Sequence, residues 1–330
     1  MKSKANNREK KRGAEAVQRL LAFGALVILF IVFSFASPYF FTFSNVVGIL
    51  VSTAVNGLLA IGVTFIIITG GIDLSVGTVM TLSSVMAAVV VKNLGLPVPL
   101  GILAAILTGT LAGIVNGLMV SKLKLPSFIA TLGMLNVAKG LALVITDLSP
   151  IYFPLETGWN ELAMGSILGA IIPGFEIPNA VLIMFGSALV AGLILSKTVI
   201  GRYTFAIGSN EEAARLSGLN VGFWKTFIYG LGGFFVGIAG VVIAARLNSA
   251  QPALGQGYEL DAIAAAVIGG VSLSGGEGSM LGTIIGAFII STLTNGLRIL
   301  SVPQEWQIVV TGLIIILSVV LDILRRRSRE

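Results

Sequence analysis

Long apolar runs recur along the chain and are separated by short polar or glycine-rich segments. A helix needs about 20 predominantly apolar residues to cross the hydrocarbon core of a bilayer. By that measure the pattern predicts ten spans: 18–36, 46–69, 76–91, 98–120, 126–146, 179–196, 226–245, 259–275, 279–297 and 305–324. The third and eighth are the weakest, because each is short and abuts a glycine-rich turn. We therefore predict an all-α membrane protein of about ten transmembrane helices, with short or broken helices near 70–77 and 269–278.

The composition supports this class. Of the 330 residues, 55% are hydrophobic and 11% are charged, whereas soluble domains carry roughly 25% charged residues. Glycine accounts for 41 residues, which suits closely packed membrane helices because small side chains let the backbones approach. The composition thus excludes a soluble globular domain, and its high apolar content excludes a disordered chain.

Charged residues sort between two sets of loops. The loops that an odd–even count places with the N-terminus are basic, whereas the segment 147–178 contains four acidic residues and no Lys or Arg. Cytoplasmic loops of membrane proteins are enriched in Lys and Arg, so both termini and the loop 197–225 are predicted to be cytoplasmic and 147–178 external. The chain then divides into a basic cytoplasmic tail at 1–17, a transmembrane domain at 18–324 and a second basic cytoplasmic tail at 325–330.

Two features oppose parts of this topology. Lys92 and Arg298 fall singly on the side predicted to be external. Ser34 and Ala36 have the small-residue spacing of a signal-peptide cleavage site, but the apolar run that begins at Leu20 is longer than the roughly 7–15 residues of a signal-peptide core. We interpret the first run as a retained membrane anchor.

The chain lacks the residues that most enzyme sites need. It contains no histidine and no cysteine, which removes the usual general base, the commonest metal ligand and any thiol chemistry. No lysine follows a glycine, so the phosphate-binding Gly-Lys-Ser/Thr motif is absent. Carboxylates remain at Asp73, Glu259 and Asp261, and the last two are interpreted as part of a solvated helix N-terminus. We expect no enzyme activity, no cofactor and no metal on this chain.

Asp73 is an isolated acid between the second and third predicted spans, in the sequence GGIDLS. Ionisable groups at membrane depth are costly and usually face a cavity or a partner. Two compatible roles follow. Asp73 caps the next helix, with Leu74, Ser75 and Val76 as its first turn, or it lines a solute route beside a discontinuous helix. The similar segment GGVSLSGG at 269–276 is either an internal repeat or a chance match in a glycine-rich chain.

Neutral polar side chains recur inside the predicted spans, Asn295 among them. Each is explained either by interhelical hydrogen bonding, worth about 0.6 kcal/mol on average, or by contact with an uncharged polyhydroxylated solute. Lys139 lies far from the outer end of its span and is predicted to face the bundle interior or a wet cavity. The residues expected to line a translocation route are Asn56, Thr64, Asp73, Ser75, Asn116 and Asn136.

The loop 197–225 contains the signal of a short helix. Ser209 and Glu212 have the spacing of a capping box, with Ser209 as the N-cap and Glu212 at the third helical position. Two alanines and a leucine follow and give the helix an apolar side, and Gly218 is expected to end it. An amphipathic helix resting passively on the bilayer explains the same pattern.

At these residues the sequence resembles the permease subunits of bacterial ABC sugar importers of the ribose, xylose and galactose type. The resemblance extends from about residue 40 to 327, and GGIDLS together with DAIAAAVIGG is specific. Its densest parts are ITGGIDLSVG (68–77), TLGMLNVAKGLALVIT (131–146), IGSNEEAARLSGLNV (207–221), YELDAIAAAVIGGVSLSGGEGS (258–279) and the closing stretch 295–327.

The resemblance implies a bacterial inner-membrane permease that translocates a monosaccharide, a ribose-like pentose or a hexose, delivered by a periplasmic binding protein. It implies a second permease copy, as a homodimer or heterodimer, and a cytoplasmic ABC ATPase subunit, with the lipid bilayer as surroundings and no nucleic acid partner. The alternatives are an ion-coupled secondary transporter, which the scarcity of intramembrane acids disfavours, and a membrane enzyme.

Part of the loop 197–225 is similar to the EAA signature through which such permeases contact their ATPases. The similarity covers Glu212-Ala213-Ala214 and the later Gly218, while the downstream Ile-x-Leu-Pro part of the signature is missing. The resemblance therefore leaves the individual contact residues open within one short segment. Those expected to couple to the ATPase are Ser209, Glu211, Glu212, Ala213, Ala214, Arg215 and Gly218.

Overall fold

The computed structural model describes residues 20–172 and 174–327, and these are almost entirely helical. The helices are α1 (Leu20–Ala36), α2 (Phe43–Ile68), α3 (Val76–Ala88), α4 (Val98–Ser121), α5 (Ser127–Ile145), α6 (Glu161–Met164), α7 (Ile167–Ile171), α8 (Asn179–Lys197), α9 (Val199–Ser209), α10 (Glu211–Leu216), α11 (Val221–Leu247), α12 (Tyr258–Ile268), α13 (Met280–Ile299) and α14 (Gln304–Arg327). A π-helical turn at Val89–Asn93 continues α3, and a 3-10 turn lies at Leu155–Thr157.

The predicted all-α membrane class is confirmed. The tail predicted at 1–17, and the last three residues of the tail predicted at 325–330, lie outside the described residues.

Seven of the described helices are long and apolar enough to cross a membrane: α2, α3 with its π-helical turn, α4, α5, α8, α11 and α13. In the described part of the chain, α1 and the Gln304–Leu317 part of α14 are shorter apolar helices. The chain is a multi-pass membrane protein.

The eighth predicted span, 259–275, is wrong as one continuous helix. α12 has 11 residues, a length of about 16 Å at 1.5 Å per residue, which is about half the hydrocarbon thickness. Its last turn is followed by Gly270, whose φ is +95°, a conformation that glycine adopts without steric cost. The chain turns there and re-enters helix only at Met280, so breaks are present near both predicted places.

The central helix α11 packs closely against α4 through glycines. A Cβ added at Gly109 or Gly113 of α4 would overlap backbone atoms of α11 at Gly233 or Tyr229, and a Cβ at Gly233 would overlap the Gly109 carbonyl. Small residues let membrane helices approach to backbone contact. Several of the many glycines in the sequence thus lie where α4 and α11 cross.

Contacts between loops define two ends of the bundle. At one, which we call the basic end (69–75, 122–126, 198–220 and 269–279), the Gly276 N–H donates to the Ile68 carbonyl at 2.9 Å and Lys225 contacts Glu211. At the other, the acidic end (94–97, 146–178 and 248–250), strand β1 (Ile151–Tyr152) pairs antiparallel with β2 (Ser249–Ala250). α11 runs from the basic end to the acidic end, so the basic loop and the acidic loop lie on opposite sides of the bundle.

Candidate functional site

The break between α2 and α3 is built around a local turn at Asp73. The Asp73 Oδ1 atom accepts hydrogen bonds from the Ser75 N–H at 2.8 Å and from the Ser75 hydroxyl at 2.6 Å. α3 begins only at Val76, and its N-cap, Ser75, makes no side-chain capping bond. The prediction that Asp73 caps a helix whose first turn is 74–76 is therefore wrong: the carboxylate binds the residue that precedes the helix.

Asn116 of α4 completes this cluster. Its Nδ2 donates to Ser75 Oγ at 2.9 Å and, more weakly, to Asp73 Oδ2 at 3.4 Å. The relative exposures of Asp73, Ser75 and Asn116 are 4%, 1% and 1%, so the carboxylate is enclosed by protein. Three donor contacts offset part of the cost of burying it, since buried charges persist when they are hydrogen-bonded.

Two residues of α5 that sequence reasoning missed hold the same break. Ser127 Oγ accepts from the Ile72 N–H at 3.2 Å, and Thr131 Oγ1 accepts from the Leu74 N–H at 3.1 Å. Both backbone groups would otherwise be unsatisfied at a point where the chain has left helical geometry. The available signal was their spacing: two hydroxyl residues four apart lie on one face of a helix.

The other predicted route residues do not join this cluster. Thr64 hydrogen-bonds to Thr283 of α13 at 2.8 Å, which supports the interhelical role. The buried Asn56 Oδ1 has no hydrogen-bond partner among the described residues. Asn136 is exposed on α5 and donates to the Leu132 carbonyl of its own helix at 3.0 Å.

Two further polar residues of the spans also have partners. Asn295 exchanges side-chain hydrogen bonds with Asn45 of α2 at 3.1 and 2.9 Å. The Lys139 ammonium donates to Gln256 Oε1 at 3.0 Å, and this contact is exposed. Lys139 is therefore half-buried on α5 and contacts the segment between β2 and α12.

The short helix predicted in the loop 197–225 is present as α10, but its cap differs. Asn210 is the N-cap, and its Oδ1 accepts from the Ala213 N–H at 2.9 Å. Ser209 is instead the last residue of α9. The capping box predicted from Ser209 and Glu212 is therefore wrong, because Asn210, an equally good capping residue, is extended and separates the two helices. The predicted end is confirmed, since Gly218 has a φ of +85° and donates to the Arg215 carbonyl at 3.0 Å.

Glu211 attaches α10 to the rest of the basic end. Its carboxylate contacts Lys225 Nζ at 2.6 Å and Arg215 Nη2 at 2.9 Å. Partial burial raises the pKa of Glu211, but the hydrogen bond and charge of Lys225, helped by Arg215 and Lys124, outweigh it and hold that pKa below its ordinary value. The Glu211 carboxylate is thus paired with cationic side chains of its own chain.

α10 presents one face inward and one outward. Ala214 is buried against the bundle, whereas Ala213 is exposed and the Leu216 side chain is 84% exposed. Glu212 is exposed as well. The outward face of α10 therefore carries one large apolar side chain, Leu216, together with Ala213 and Glu212.

A cleft of about 260 Å³ lies between α10 and the α2–α3 break. Gly70, Gly71 and Ser127 line it on the side of the break, and Glu211 and Lys225 line it on the side of α10. Glu211, a residue predicted to couple to the ATPase, thus faces the same cleft as the two glycines that precede the Asp73 turn.

The sequence profile of the family described as "branched-chain amino acid transport system / permease component" matches residues 45–319. The chain is 42% identical over 313 residues to the ribose import permease protein of Bacillus subtilis, a match that covers 94% of each chain. It is 43% identical over 303 residues to the ribose import permease protein of Haemophilus influenzae, covering 91% of this chain and 92% of that one. The xylose transport system permease protein of Escherichia coli is 34% identical over 365 residues, with 94% and 93% covered. No solved structure matches the chain significantly.

These matches span nearly the whole chain and include the polar break, the α9–α10 segment and the α12–α13 turn. They make it a transport component rather than an enzyme. The chain thus belongs to the family of bacterial ABC-importer permeases that this profile describes, which confirms the resemblance carried by its motifs.

Proposed function

We propose that this chain is the transmembrane subunit of an ATP-driven importer for a monosaccharide, a ribose-like pentose or a hexose, delivered by a periplasmic binding protein. The observation that carries the proposal is the 42–43% identity over more than nine-tenths of the chain to ribose import permeases. The lower identity to xylose permeases favours the ribose-like substrate within this class.

The proposed partners follow from what this chain lacks and from what it exposes. Without a Gly-Lys-Ser/Thr motif it has no phosphate-binding loop of that type, so the energy would come from a separate cytoplasmic ATPase. The outward face of α10, with Ala213 and Leu216, is the proposed contact, while Ala214 and Glu211 hold the helix to the bundle. A second permease copy would complete the translocation unit.

The proposed orientation has the basic end in the cytoplasm and the acidic end outside. It rests on the positive-inside rule and on the grouping of Lys124, Arg215 and Lys225 around α10. In this orientation both termini are cytoplasmic, and the loop 147–178 faces the binding protein.

The proposed route passes the polar break. Asp73, Ser75 and Asn116 are enclosed within one protomer, and Gly70 and Gly71 separate them from the cleft at the basic end. A turn of this kind supplies polar groups that the protein itself satisfies, without exposing them to lipid. Asn136, exposed on α5, would reach the solute only if the second copy closes over that face.

The test is substitution of Ala213 by arginine, followed by purification of the permease and assay of sugar uptake. A large charged side chain on the outward face should lower the amount of co-purifying ATPase at least tenfold, equivalent to about 1.4 kcal/mol of binding free energy. Ser149→Arg, at an exposed position of the acidic end, is the matched control and should bind the ATPase as the wild type does.

Two results would contradict the proposal. Normal ATPase recovery and normal uptake in Ala213→Arg would mean that α10 rests passively on lipid. Uptake of radiolabelled ribose that needs no ATPase and collapses when an ionophore dissipates the ion gradient would identify the ion-coupled alternative.

A further inference from the structure

Three backbone segments meet without intervening side chains at the basic end. They are the end of α2 at Ile68, the end of α9 at Gly208 and the turn at Gly275–Gly276. The Gly276 N–H donates to the Ile68 carbonyl at 2.9 Å. A Cβ added at Gly208 would overlap that same Ile68 carbonyl and lie 2.6 Å from the Gly276 nitrogen. We call this contact the glycine junction.

Only glycine fits these positions. Gly275 and Gly276 have φ values of +83° and +76°, which other residues rarely adopt. A Cβ at Gly275 would lie 2.9 Å from both the Gly208 carbonyl oxygen and the Gly70 nitrogen. The neighbours of Gly208 are backbone atoms and not flexible side-chain ends. The junction therefore has no free space in which one segment could move without displacing the others.

The junction lies a few residues from each feature described above. Gly208 is three residues before Glu211, the first residue of α10. Ile68 is five residues before Asp73, and Gly276 is four residues before Met280, where α13 begins. Few residues therefore separate α10 from the two broken-helix turns. Rigid, close-packed contacts of this kind transmit shifts between elements, so a displacement of α10 would also displace the turns.

We infer that Gly208 is a positioning residue that carries displacement of α10 to the two broken-helix turns, 69–75 and 269–279. The inference rests on the proposed function, in which α10 contacts the ATPase. In this arrangement a movement at the glycine junction displaces both of the similar segments, GGIDLSVG and GGVSLSGG. Both segments lie beside the junction at the basic end, and each precedes a helix that runs back through the bundle.

Hydrogen exchange in the complex of wild-type permease with its co-purifying ATPase tests this step. Addition of ATP and Mg²⁺ should change the amide hydrogen-exchange rates of peptides that cover α10. It should also change the rates of peptides that cover 69–75 and 269–279. The Gly208→Ala variant should keep ATPase binding and the response of α10, while the response of the two turns falls severalfold. A purely structural role for Gly208 would alter basal exchange but leave this ATP-dependent difference in place.

Gly192→Ala is the matched control, because among the described residues a Cβ there meets only the Met280 side chain, at an ordinary 3.7 Å. It should respond as the wild type does. If Gly208→Ala is not recovered from membranes, Gly278→Ala replaces it, since its Cβ would meet only flexible side-chain atoms of Ile68 and Val271 among its nearest neighbours. This milder change, two residues after the junction, should weaken the response of the turns without removing it.

The outcomes separate the inference from the proposed function. Turns that respond equally in wild type and Gly208→Ala, or that stay silent in the wild type while α10 responds, overturn the inference and leave the proposed function intact. Failure of the wild-type permease to retain any ATPase overturns the proposed function, and the inference falls with it.

Discussion

Asp73 shows how a charged residue is accommodated inside a bundle with few charges. Its carboxylate is satisfied by Ser75 and Asn116, which contribute a backbone N–H, a hydroxyl and an amide. Ser127 and Thr131 satisfy the neighbouring backbone. Removing a single member leaves a buried donor or acceptor without its partner, which costs more than the bond itself contributes.

Asp73→Ala is expected to destabilise the permease by about 1–3 kcal/mol and to reduce uptake while the protein still inserts. Asp73→Asn retains an Oδ1 acceptor and should keep more of both. Thermal unfolding and uptake at matched membrane abundance measure the two effects. The control is Ser196→Ala, which removes a hydroxyl that donates to the Gly192 carbonyl of its own helix. Wild-type uptake in Asp73→Ala would remove Asp73 from the proposed route.

The Glu211–Lys225 pair predicts a pH dependence at α10. Because the folded-state pKa of Glu211 is lowered, its stabilising contribution is complete above the ordinary glutamate value of 4.5 and is lost as the pH falls through the lowered value. The contribution should stay below about 1 kcal/mol, because the pair is partly solvent-exposed. The stability difference between wild type and Glu211→Gln, measured at neutral and acid pH, should shrink on acidification. A difference that grew at low pH would contradict this assignment.

Among the elements, the close approach of α4 and α11 depends on glycines that face each other. Backbone-to-backbone contact leaves no space for a methyl group, so the two helices cannot move apart locally without losing packing on both sides. The same reasoning explains why α11 can serve as the central helix and still contain five glycines between Tyr229 and Val241.

Gly233→Ala is expected to lower the free energy of unfolding by roughly 1–3 kcal/mol, the usual cost of overpacking. The reason is that its Cβ would overlap the Gly109 carbonyl. Gly186→Ala on α8, where a Cβ has nothing within 4 Å, should be neutral or slightly stabilising because alanine favours helix. Detergent-phase thermal unfolding compares the two. Equal stability of the variants would mean that α4 and α11 are not in backbone contact.

At the scale of the whole molecule, the loops sort by charge onto two ends. The acidic end is tied together by the pairing of Ile151 with Ala250 and by the stacking of Phe153 on Trp159, with ring centroids 4.3 Å apart. The basic end is tied together by the glycine junction and by Glu211. Each end is thus a packed unit, and the helices between them fix which loops share a side.

Cysteine labelling checks the orientation, since the chain has no native cysteine. Leu155→Cys, at a position 81% exposed on the acidic end, should react with a membrane-impermeant thiol reagent added outside intact cells. Ser217→Cys, exposed beside α10, should react only after the membrane is opened. The reverse labelling pattern would invert the proposed topology.

The sequence predicted most of the helical framework. Apolar runs of about 20 residues predict spans because the bilayer sets the length, and Gly-rich interruptions predict breaks because glycine turns the chain without strain. Both kinds of signal are local. The misplaced cap at Ser209 is a local error too, since Ser209 and Asn210 are adjacent and both suit an N-cap.

The amino-acid sequence by itself determined the membrane class, the two broken-helix turns, the charge difference between the loops and the family. Only the tertiary structure decided which polar residues meet: Asp73 with Asn116, 43 positions apart, and Thr64 with Thr283, while Asn136 stays outside. The physical reason is that a helix that is apolar on nearly every face shows no hydrophobic periodicity, so its sequence does not reveal which side packs inward. Likewise, the meeting of Ile68, Gly208 and Gly276 depends on backbone contacts between distant segments, which no local pattern encodes.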